Sequence, residues 1–500
     1  MLDGYHATTD DVVRIARGRA QVDLAEGTWE RVARGRAIVE RALAQNTPVY
    51  GLTMGVGPLR DHRLEPDEVE RFNLDVVLGH ATPVFPEERP TEQVRAMMAA
   101  RVNGMVRGGS GVRPDVVRLL LEMLNRGIHP IVRARGVSVG ESDLVPLAEV
   151  GLVMVGLGEA EYNGARLPGA DALRQAGLTP LRLAAKEGIA IISANALSVG
   201  AGALALRDAR MLLDAFDTAG AVMLEAYAAD LSVLAPAVDE SRPFAGQRRR
   251  AQHLRALLRG SALFETRQAR RFLDPLSFRC IAQVHGACCD VLAHAEDMIA
   301  RMLNASVDNP LVILEEQRLV STGNFESTAL ALAFDQVRLA FLRLIVMSVQ
   351  RVQKLLWSEF SGLPGALALP TESRTSMFFN NVSRVMAALT AKAYGHAAPA
   401  SLTYHPQLSQ GADDYASMSP VSLAQTAELL EVARCVVALE LLVAARALEL
   451  RRPTAMGTGT ARAFEWVERA RRACQGETGE TDLIRFVTDL RLEELLSGLE

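Results

Sequence analysis

The sequence predicts a mainly α-helical protein built around a bundle of long, mutually buried helices. Two observations lead to this fold class. Apolar residues recur at helical spacing along most of the 500 residues. Several of these stretches are rich in Ala and Leu and carry few charges, and helices that are apolar over most of their circumference need other helices to cover them. Strand signals are weak and confined to loops of the N-terminal half, such as 135–140.

The individual helices follow from this periodicity. The segment 114–127 ends in a glycine, as a capped helix does, and places four apolar residues on one face: Val116, Leu119, Leu120 and Met123. The longer predicted helices are 209–235, 283–303, 327–357 and 421–450. The arginine-rich stretch 248–260 is predicted to be one amphipathic helix with a solvated basic face, and an anion site is the alternative.

Composition and charge exclude several classes of function. The 54 basic and 59 acidic residues give a net charge of −5, which lacks the basic footprint of a nucleic-acid-binding protein. The N-terminus is acidic where a signal peptide would be basic, and apolar runs are broken before the roughly 18 residues that a membrane span requires. Five cysteines, an odd number without a CxxC pair, favour a reducing cytoplasm. We therefore expect a soluble cytoplasmic protein without nucleic-acid or membrane partners.

Motifs for common cofactors are missing from the sequence. It contains no GxxxxGK[ST] loop, HExxH motif or EF-hand pattern, so neither a nucleotide nor a metal site is predicted. The only lysines are Lys186, Lys354 and Lys392, which limits imine chemistry to three positions. The adjacent Cys288 and Cys289 point about 100° apart on a helix and suit core packing better than joint metal binding.

A series of short motifs spans residues 50–418. In chain order they are YGLTMGVG (50–57), FNLDVVLGHA (72–81), VRAMMAARVNGMVRGGSGVR (94–113), VSVGESDLVPLAEVG (137–151), AAKEGIAII (184–192), GQRRRAQHLRALLRGS (246–261), DPLSFRCIAQVHGA (274–287), NASVDNPLV (304–312), GNF (323–325) and DDYASM (413–418). This ordered series resembles the histidine and aromatic amino acid ammonia-lyase family, which includes aminomutases. The likeness covers nearly the whole chain.

The resemblance implies an architecture and a chemistry. It implies a fumarase/aspartase-type helical protomer, with a smaller N-terminal domain of catalytic loops (residues 1–200) and a central long-helix bundle with C-terminal helices (residues 201–500). It also implies a homotetramer whose active sites collect loops from three subunits. Members of the family eliminate ammonia from an α-amino acid, or shift its amine, with an electrophile called methylideneimidazolone (MIO). This group forms when an Ala-Ser-Gly tripeptide cyclises and loses water.

The tripeptide departs from the family pattern in this sequence. Glu141 replaces the Ala, Ser142 is retained, and the Gly is missing, so that Asp143 follows directly. Glycine permits the tight backbone fold of the cyclisation, whereas the ring-closing nitrogen here would belong to a residue with a Cβ. The sequence therefore predicts that MIO is absent and that no other cofactor replaces it.

Four further departures occur at positions that are catalytic or substrate-binding in the family. Leu276 and Leu273 stand where the family has a Tyr and a Gln, Ser193 replaces the Asn that holds the MIO carbonyl, and Asp413 replaces a Glu. The two leucines predict a more apolar pocket, which favours a bulkier or less charged ligand than a free amino acid.

Other positions of the family site are retained. Tyr50 matches the general base, although a phenol with a reference pKa of about 10 needs a helper at neutral pH. Arg279 matches the arginine that grips the substrate carboxylate. Phe325 matches the aromatic residue beside MIO, Asn309 lies in the retained DNP turn, and His80 matches the selectivity position. For Arg279 and Asn309, a buried hydrogen-bonded network that stabilises the tetramer is the alternative.

Three hypotheses of function remain open at this point. The favoured one is a lyase-type enzyme that performs MIO-independent elimination or addition on a small amino-acid-derived or carboxylate-bearing substrate. Tyr50 and Glu141 would then share proton transfer beside Ser142, with Arg279 as the carboxylate anchor. Pairing of Glu141 with an arginine is the alternative for that residue. The other hypotheses are a catalytically silent homologue that binds a ligand or a partner lyase subunit, and a true MIO-type ammonia-lyase or aminomutase.

Overall fold

The computed structural model describes residues 1–133, 143–265, 270–402, 407–476 and 481–498 and confirms a mainly helical fold. The longest helices carry the apolar periodicity seen in the sequence. They are Ala196–Tyr227, Ile281–Leu303, Thr328–Leu356, Ser373–Ala397 and Ser419–Arg451. The shorter helices of ten or more residues are Thr28–Ala44, Val69–His80, Thr91–Met105, Pro114–Arg126, Leu144–Met154, Ala245–Leu257 and Thr458–Ala473.

Shorter elements connect these helices. The remaining α-helices are Thr9–Ala16, Gly169–Gln175, Glu187–Ile192, Pro236–Glu240, Ala262–Glu265, Leu276–Arg279, Ser358–Ser361, Leu483–Asp489 and Leu492–Ser497. Short 3-10 helices lie at Gly57–Leu59, Leu231–Leu234, Gly365–Leu367, Ala400–Leu402 and Ser409–Gly411. The weak strand signal at 135–140 lies outside the described residues.

Two small antiparallel sheets accompany the helices. The first has three strands in chain order, His129–Pro130, Glu159–Tyr162 and Ala165–Pro168. The second is a hairpin of Leu311–Ile313 and Arg318–Val320. The hairpin lies directly after the DNP turn, so it fixes the course of the chain on the C-terminal side of Asn309.

The chain divides into two compact units, each built from several stretches of sequence. The first unit comprises residues 1–207, 295–334 and 399–424, and the second comprises 208–294, 335–398 and 425–500. The predicted division into residues 1–200 and 201–500 is a simpler, contiguous one and stays a prediction about domains. Four of the long helices contribute residues to both units.

In the first unit, small residues allow those four helices to approach closely. A Cβ added at Gly202 would lie 2.6 Å from Ile299 and 3.3 Å from both Phe334 and Leu423, each of which belongs to a different helix. In the N-terminal part, a Cβ at Gly35 would lie 2.2 Å from the carbonyl oxygen of Gly108. These positions need glycine because the neighbouring backbone and side chains leave no room for a methyl group.

In the second unit, buried ion pairs and hydrogen bonds join the long helices. The guanidinium of Arg351 donates to the carboxylate of Glu440 at 2.6 Å, and both side chains are fully buried. Arg451 donates to the carbonyl of Ala226 at 2.6 Å. A buried pair of this kind is costly to break, because removal of one partner leaves an uncompensated charge in the core.

The predicted arginine-rich helix forms at Ala245–Leu257, but its basic face is not simply solvated. Arg250 donates to Asp214 at 2.5 Å and to Asp217 at 3.1 Å, and Arg255 pairs with Asp239 at 2.8 Å. These carboxylates lie on other helices, Ala196–Tyr227 and Pro236–Glu240, so periodicity within the arginine-rich helix gave no sign of them.

One apolar stretch, Glu187–Tyr227, is long and apolar enough to cross a membrane by composition, yet 94% of its most apolar window is buried inside the fold. The core helix of a folded protein satisfies the same criterion. All five cysteines are free thiols, and Cys288 is buried in the core, as its apolar neighbours predicted.

Candidate functional site

The loop that carries Tyr50 is a compact turn held by hydrogen bonds within the loop. The backbone N–H of Gly57 donates to the Tyr50 hydroxyl oxygen at 3.1 Å, and Leu52 anchors the loop in the core. Gly57 has a φ of +56°, a left-handed conformation that glycine adopts without steric cost. Tyr50 itself is half-buried.

The loop that carries Asp413 packs directly against the tyrosine loop. The guanidinium of Arg60 donates to the carbonyl of Gly57 at 3.2 Å and to the carbonyl of Ser409 at 3.3 Å. The Ser409 hydroxyl in turn donates to the Asp413 carboxylate. We refer to Arg60, Ser409 and Asp413 as the loop clasp. The fold thus brings Tyr50 and Asp413 into one region although they are far apart in the sequence.

A buried network of serine hydroxyls links the segments on which three of the candidate residues lie. The Ser327 hydroxyl lies 2.9 Å from the hydroxyls of both Ser417 and Ser419, and Asn195 donates to Ser327 at 3.3 Å. Ser419 continues the network to Ser198 at 3.4 Å. The network therefore ties together the chain next to Ser193, Phe325 and Asp413.

Asp143 ends this network at the position where the family's tripeptide lies. Its carboxylate accepts hydrogen bonds from the backbone N–H of Ser198 at 2.8 Å and from the Ser198 hydroxyl at 3.0 Å. Complete burial raises the pKa of the Asp143 carboxyl from 3.8 to about 6, and the hydrogen bonds from Ser198 oppose that rise in part. Glu141 and Ser142 lie outside the described residues, and Asp143 is the first described residue after them.

The DNP turn is held by a second buried network. Asp308 accepts from Arg101 at 2.7 Å and from the Ser110 hydroxyl at 2.8 Å, and the two ionic side chains are almost fully buried. Asn309 accepts from the backbone N–H of Thr322 at 3.1 Å. This contact holds the turn within the protomer, and the alternative for Asn309, a buried hydrogen-bonded network that stabilises the tetramer, stays a prediction.

The only lysine of the first unit belongs to the same network. The Lys186 ammonium donates to the Ser110 carbonyl at 2.7 Å and is fully buried, and this burial lowers its pKa to about 8. Its side chain is enclosed by the fold, so it supports the scaffold and offers no surface for imine formation with a substrate.

Ser193 and His80 lie on two helices that pack together. Ser193 is buried directly after helix Glu187–Ile192, and its N–H donates to the Ile189 carbonyl at 2.9 Å. His80 ends helix Val69–His80 and is half-buried, with Nδ1 2.7 Å from the carbonyl of Val76. The two helices meet where Gly188 donates to Asn73 at 2.9 Å.

Three predicted site residues belong to the second unit. Leu273 and Leu276 are 61% and 64% exposed in the protomer, so the apolar pocket predicted for them is not formed by the residues around them here. Arg279 is half-buried, and its Nε is a buried donor without a hydrogen-bond partner among the described residues. Their part in a site shared between subunits stays a prediction.

Several polar residues of the site escaped the sequence interpretation. Asn195 and Arg101 line a small cavity that is otherwise apolar. The serines of the network were missed because single hydroxyls within Ala-rich helices are common. The sequence did contain a signal for these serines. Ser417 and Ser419 lie two residues apart at the end of the DDYASM motif, and Ser327 directly follows GNFE.

A separate cluster in the second unit has the composition of a cation site. Asp214, Asp217 and His253 offer atoms within 4.8 Å of one another. Burial acts to raise the pKa of Asp217, but hydrogen bonds from His253 and His285 outweigh it and lower the pKa to about 2. Arg250 supplies the positive charge that balances the two carboxylates. We interpret the cluster as a structural ion-pair network.

The long-helix fold and the paired loops define a class of protein. The family model described as "Aromatic amino acid lyase" matches residues 7–469. The chain therefore belongs to the aromatic amino acid lyase family, as its motifs indicated.

Individual relatives agree with this assignment. The chain is 37% identical to the histidine ammonia-lyase of Stigmatella aurantiaca over 93% of this chain and 91% of that protein. It is 39% identical to the histidine ammonia-lyase of Anaeromyxobacter dehalogenans over 91% of this chain and 90% of that protein.

Solved structures extend the comparison to other activities. The ergothioneine degrading enzyme Ergothionase from Treponema denticola, in complex with desmethyl-ergothioneine sulfonic acid, superimposes with a TM-score of 0.91 at 28% identity and covers 99% of this chain and 98% of its own. A tyrosine aminomutase from Streptomyces globisporus superimposes with a TM-score of 0.89 at 27% identity, with the same two coverages.

Proposed function

We propose that this protein is a lyase that performs elimination or addition by acid/base chemistry, without MIO, on a small amino-acid-derived substrate with a carboxylate. The observation that carries the proposal is the junction of the Tyr50 and Asp413 loops within the same unit as Asp143. The phenol of Tyr50, which can transfer a proton, therefore belongs to the same unit as Asp143. The sequence that ends at Asp143 lacks the tripeptide from which MIO forms.

The residues present do not fit formation of MIO. The sequence Gly140-Glu141-Ser142-Asp143 lacks the tripeptide, and the Asp143 carboxylate is committed to Ser198 in the buried network. Ser193, at the position of the family's carbonyl-binding Asn, is buried and offers a shorter side chain. No step of the proposed reaction uses this group.

Each of these residues has a role in the proposed reaction. Tyr50 and Glu141 share removal of the β-proton, which lies on the carbon adjacent to the one that bears the leaving group. Arg279 binds the substrate carboxylate. Its fork of donors suits this role, and so does its Nε, for which the described part of the chain offers no hydrogen-bond partner. His80 and Phe325 contact the substrate side chain. Because Arg279 lies in the second unit, we propose that another subunit of a homotetramer supplies it.

The leaving group follows from the loss of the electrophile. An amino group that has lost its proton is a poor leaving group, which is why the family activates it. A trimethylammonium group has no N–H proton to lose and keeps its positive charge, so it departs as neutral trimethylamine when a base removes the β-proton, without an electrophilic helper. The similarity to an ergothioneine degrading enzyme supports this substrate class, because ergothioneine is a betaine of a thiolated histidine.

Two alternatives have specific support. The histidine ammonia-lyase relatives favour amine elimination from histidine itself. The combined departures at Glu141, Ser193, Leu273 and Leu276 favour a catalytically silent homologue that binds a ligand or a partner subunit.

A substrate panel distinguishes these functions. The panel contains L-histidine, L-phenylalanine, L-tyrosine, the trimethylated betaine of histidine, and ergothioneine. The readouts are amine release and ultraviolet absorbance of the unsaturated acid. We expect turnover of a betaine and none of the free amino acids. Preferred turnover of a free amino acid supports the MIO-type alternative, and ligand binding without turnover supports the silent homologue.

Variants test the proposed roles on the substrate that reacts. We expect Tyr50→Phe and Glu141→Gln each to lower kcat about 100-fold, the lower limit typical of a lost acid/base group. Tyr162→Phe, on a strand outside the site, is the matched control and should retain full activity. Unchanged turnover in both site variants contradicts the proposed roles.

A further inference from the structure

The guanidinium of Arg279 is a cation that no polar neighbour holds. Among the residues that the structure describes, it has no hydrogen bond and no ion pair, and its Nε is a buried donor. The backbone N–H of Arg279 donates to the Pro275 carbonyl at 3.1 Å, at the end of the one-turn helix Leu276–Arg279. We refer to this helix as the arginine turn. Because no polar contact fixes the side chain, the backbone of the arginine turn decides where the guanidinium lies.

The arginine turn is too short to be stable by its own hydrogen bonds. It has four residues, whereas isolated helices need about 12 or more residues to form in water. Contacts with other helices of the second unit therefore hold it. The fully buried ring of Phe278 stacks on the ring of Tyr227, with 4.2 Å between the centroids. Nη1 of Arg351 donates to the Ser277 carbonyl at 3.4 Å.

The second of these contacts is held in place by a buried ion pair. Nε and Nη2 of Arg351 donate to the two carboxylate oxygens of Glu440 at 2.6 and 3.1 Å, and both side chains are fully buried. Such a two-pronged contact fixes the plane of a guanidinium. It leaves Nη1 in a set direction, towards the Ser277 carbonyl. The helices Thr328–Leu356 and Ser419–Arg451, which carry the pair, therefore fix the arginine turn through one guanidinium.

We propose that Arg351 is a positioning residue for Arg279: it holds the Ser277 carbonyl and so fixes the turn from which Arg279 binds the substrate carboxylate. This inference rests on the proposed function, which assigns the carboxylate to Arg279, and it adds no proton transfer. Arg351 is fully buried and acts through the arginine turn without touching the substrate. Loss of its hydrogen bond to Ser277 therefore weakens substrate binding, which raises KM, and leaves kcat nearly unchanged.

Two variants remove this hydrogen bond in different ways. Arg351→Lys keeps a positive charge beside Glu440, but a single ammonium lacks the fork of donors that joins Glu440 to the Ser277 carbonyl. Arg351→Met combined with Glu440→Leu replaces the whole pair by apolar side chains, a change that costs little stability in a protein core. The thermal midpoint of each variant verifies that it folds.

Arg446 provides a matched control in the same unit. It donates to the carboxylates of Glu372 at 2.6 Å and Glu449 at 3.1 Å and to the carbonyl of Leu367 at 3.1 Å. Like Arg351, it thus joins carboxylates to a backbone carbonyl, but none of its partners belongs to the arginine turn. Arg446→Lys therefore makes the same substitution in a similar network without a contact to Arg279.

The test measures kcat and KM of the full-length protein for the trimethylated betaine of histidine and for ergothioneine. We expect both Arg351 variants to raise KM about tenfold with kcat within about threefold, because a displaced guanidinium binds the carboxylate poorly. Arg446→Lys should keep both constants within about twofold of the parent. In an Arg279→Met background, Arg351→Lys should change KM by less than about twofold, because the two residues act as one unit.

The outcomes separate the inference from the proposed function. If the parent turns a betaine over and the Arg351 variants match Arg446→Lys, the inference is overturned and the proposed function stands. A tenfold effect of Arg351→Lys that persists in the Arg279→Met background shows that Arg351 does not act through Arg279, which also overturns the inference.

Calorimetry covers the case of a parent protein without turnover. Binding of either compound without turnover contradicts the proposed reaction, and the same comparison of variants then decides the inference with Kd in place of KM. If the parent neither converts nor binds either compound, the proposed function and the inference are both overturned.

Discussion

At the scale of single residues, the site combines positions that motifs reveal with positions that only the fold reveals. Tyr50 and Asp413 were predicted from their motifs, and the fold places their loops in contact. Ser327 and Ser419 were not predicted, because these two hydrogen-bonded residues lie 92 residues apart in the sequence. A single hydroxyl at the start of an apolar helix gives no local sign of such a partner. Glu141 and Ser142 lie outside the described residues, so their roles stay predictions.

The buried carboxyl of Asp143 leads to a prediction about stability and pH. Its pKa of about 6 in the folded protein exceeds the ordinary 3.8, so the folded state binds more protons between these values. The Asp143 carboxyl therefore stabilises the folded state below about pH 4, and this stabilisation is lost as the pH rises to about 6. The free energy of unfolding falls by about 3 kcal/mol over this range. Asp143→Asn should remove this slope from the free energy of unfolding in urea, measured between pH 4 and 7. Asp115 is exposed, so the control variant Asp115→Asn should keep this slope. Identical slopes in the parent and in Asp143→Asn would contradict the prediction.

At the scale of elements, the long helices were predictable because the apolar period repeats over many turns. The segments 283–303, 327–357 and 421–450 form as helices with boundaries shifted by one or two residues. The segment 209–235 forms as Ala196–Tyr227, which begins earlier and ends earlier. It ends there because Ala228 adopts a φ of +57°, although apolar residues continue. The two small sheets were missed because their strands have only two to four residues.

The loop clasp gives a prediction at the same scale. Arg60→Ala removes the donor that joins the carbonyls of Gly57 and Ser409, so the loop of residues 50–63 should open more often. We expect hydrogen exchange in residues 51–60 to rise about tenfold while the thermal midpoint changes by less than about 2 °C. Arg71→Ala, an exposed change on the next helix, is the control. Equal exchange in the two variants would show that the clasp does not hold the loop.

At the scale of the whole molecule, the exposed apolar surface of the second unit supports the homotetramer implied by the family. Phe272 is fully exposed, and Leu273 and Leu276 are more than half exposed. Exposed apolar side chains that lie close together mark interaction surfaces. Light scattering should therefore give a mass of four times 54.1 kDa at micromolar concentration. A monomeric mass would contradict both the tetramer and the supply of Arg279 by another subunit.

The central claim is that this member of the aromatic amino acid lyase family works without MIO, and intact-protein mass spectrometry tests it most directly. Formation of MIO removes water from the chain, whereas proton transfer by tyrosines and carboxylates leaves the covalent structure unchanged. The account predicts the mass of the unmodified sequence for protein that turns over its substrate. A mass that is lower by the loss of water, located by peptide analysis to Gly140-Glu141-Ser142-Asp143, would contradict it.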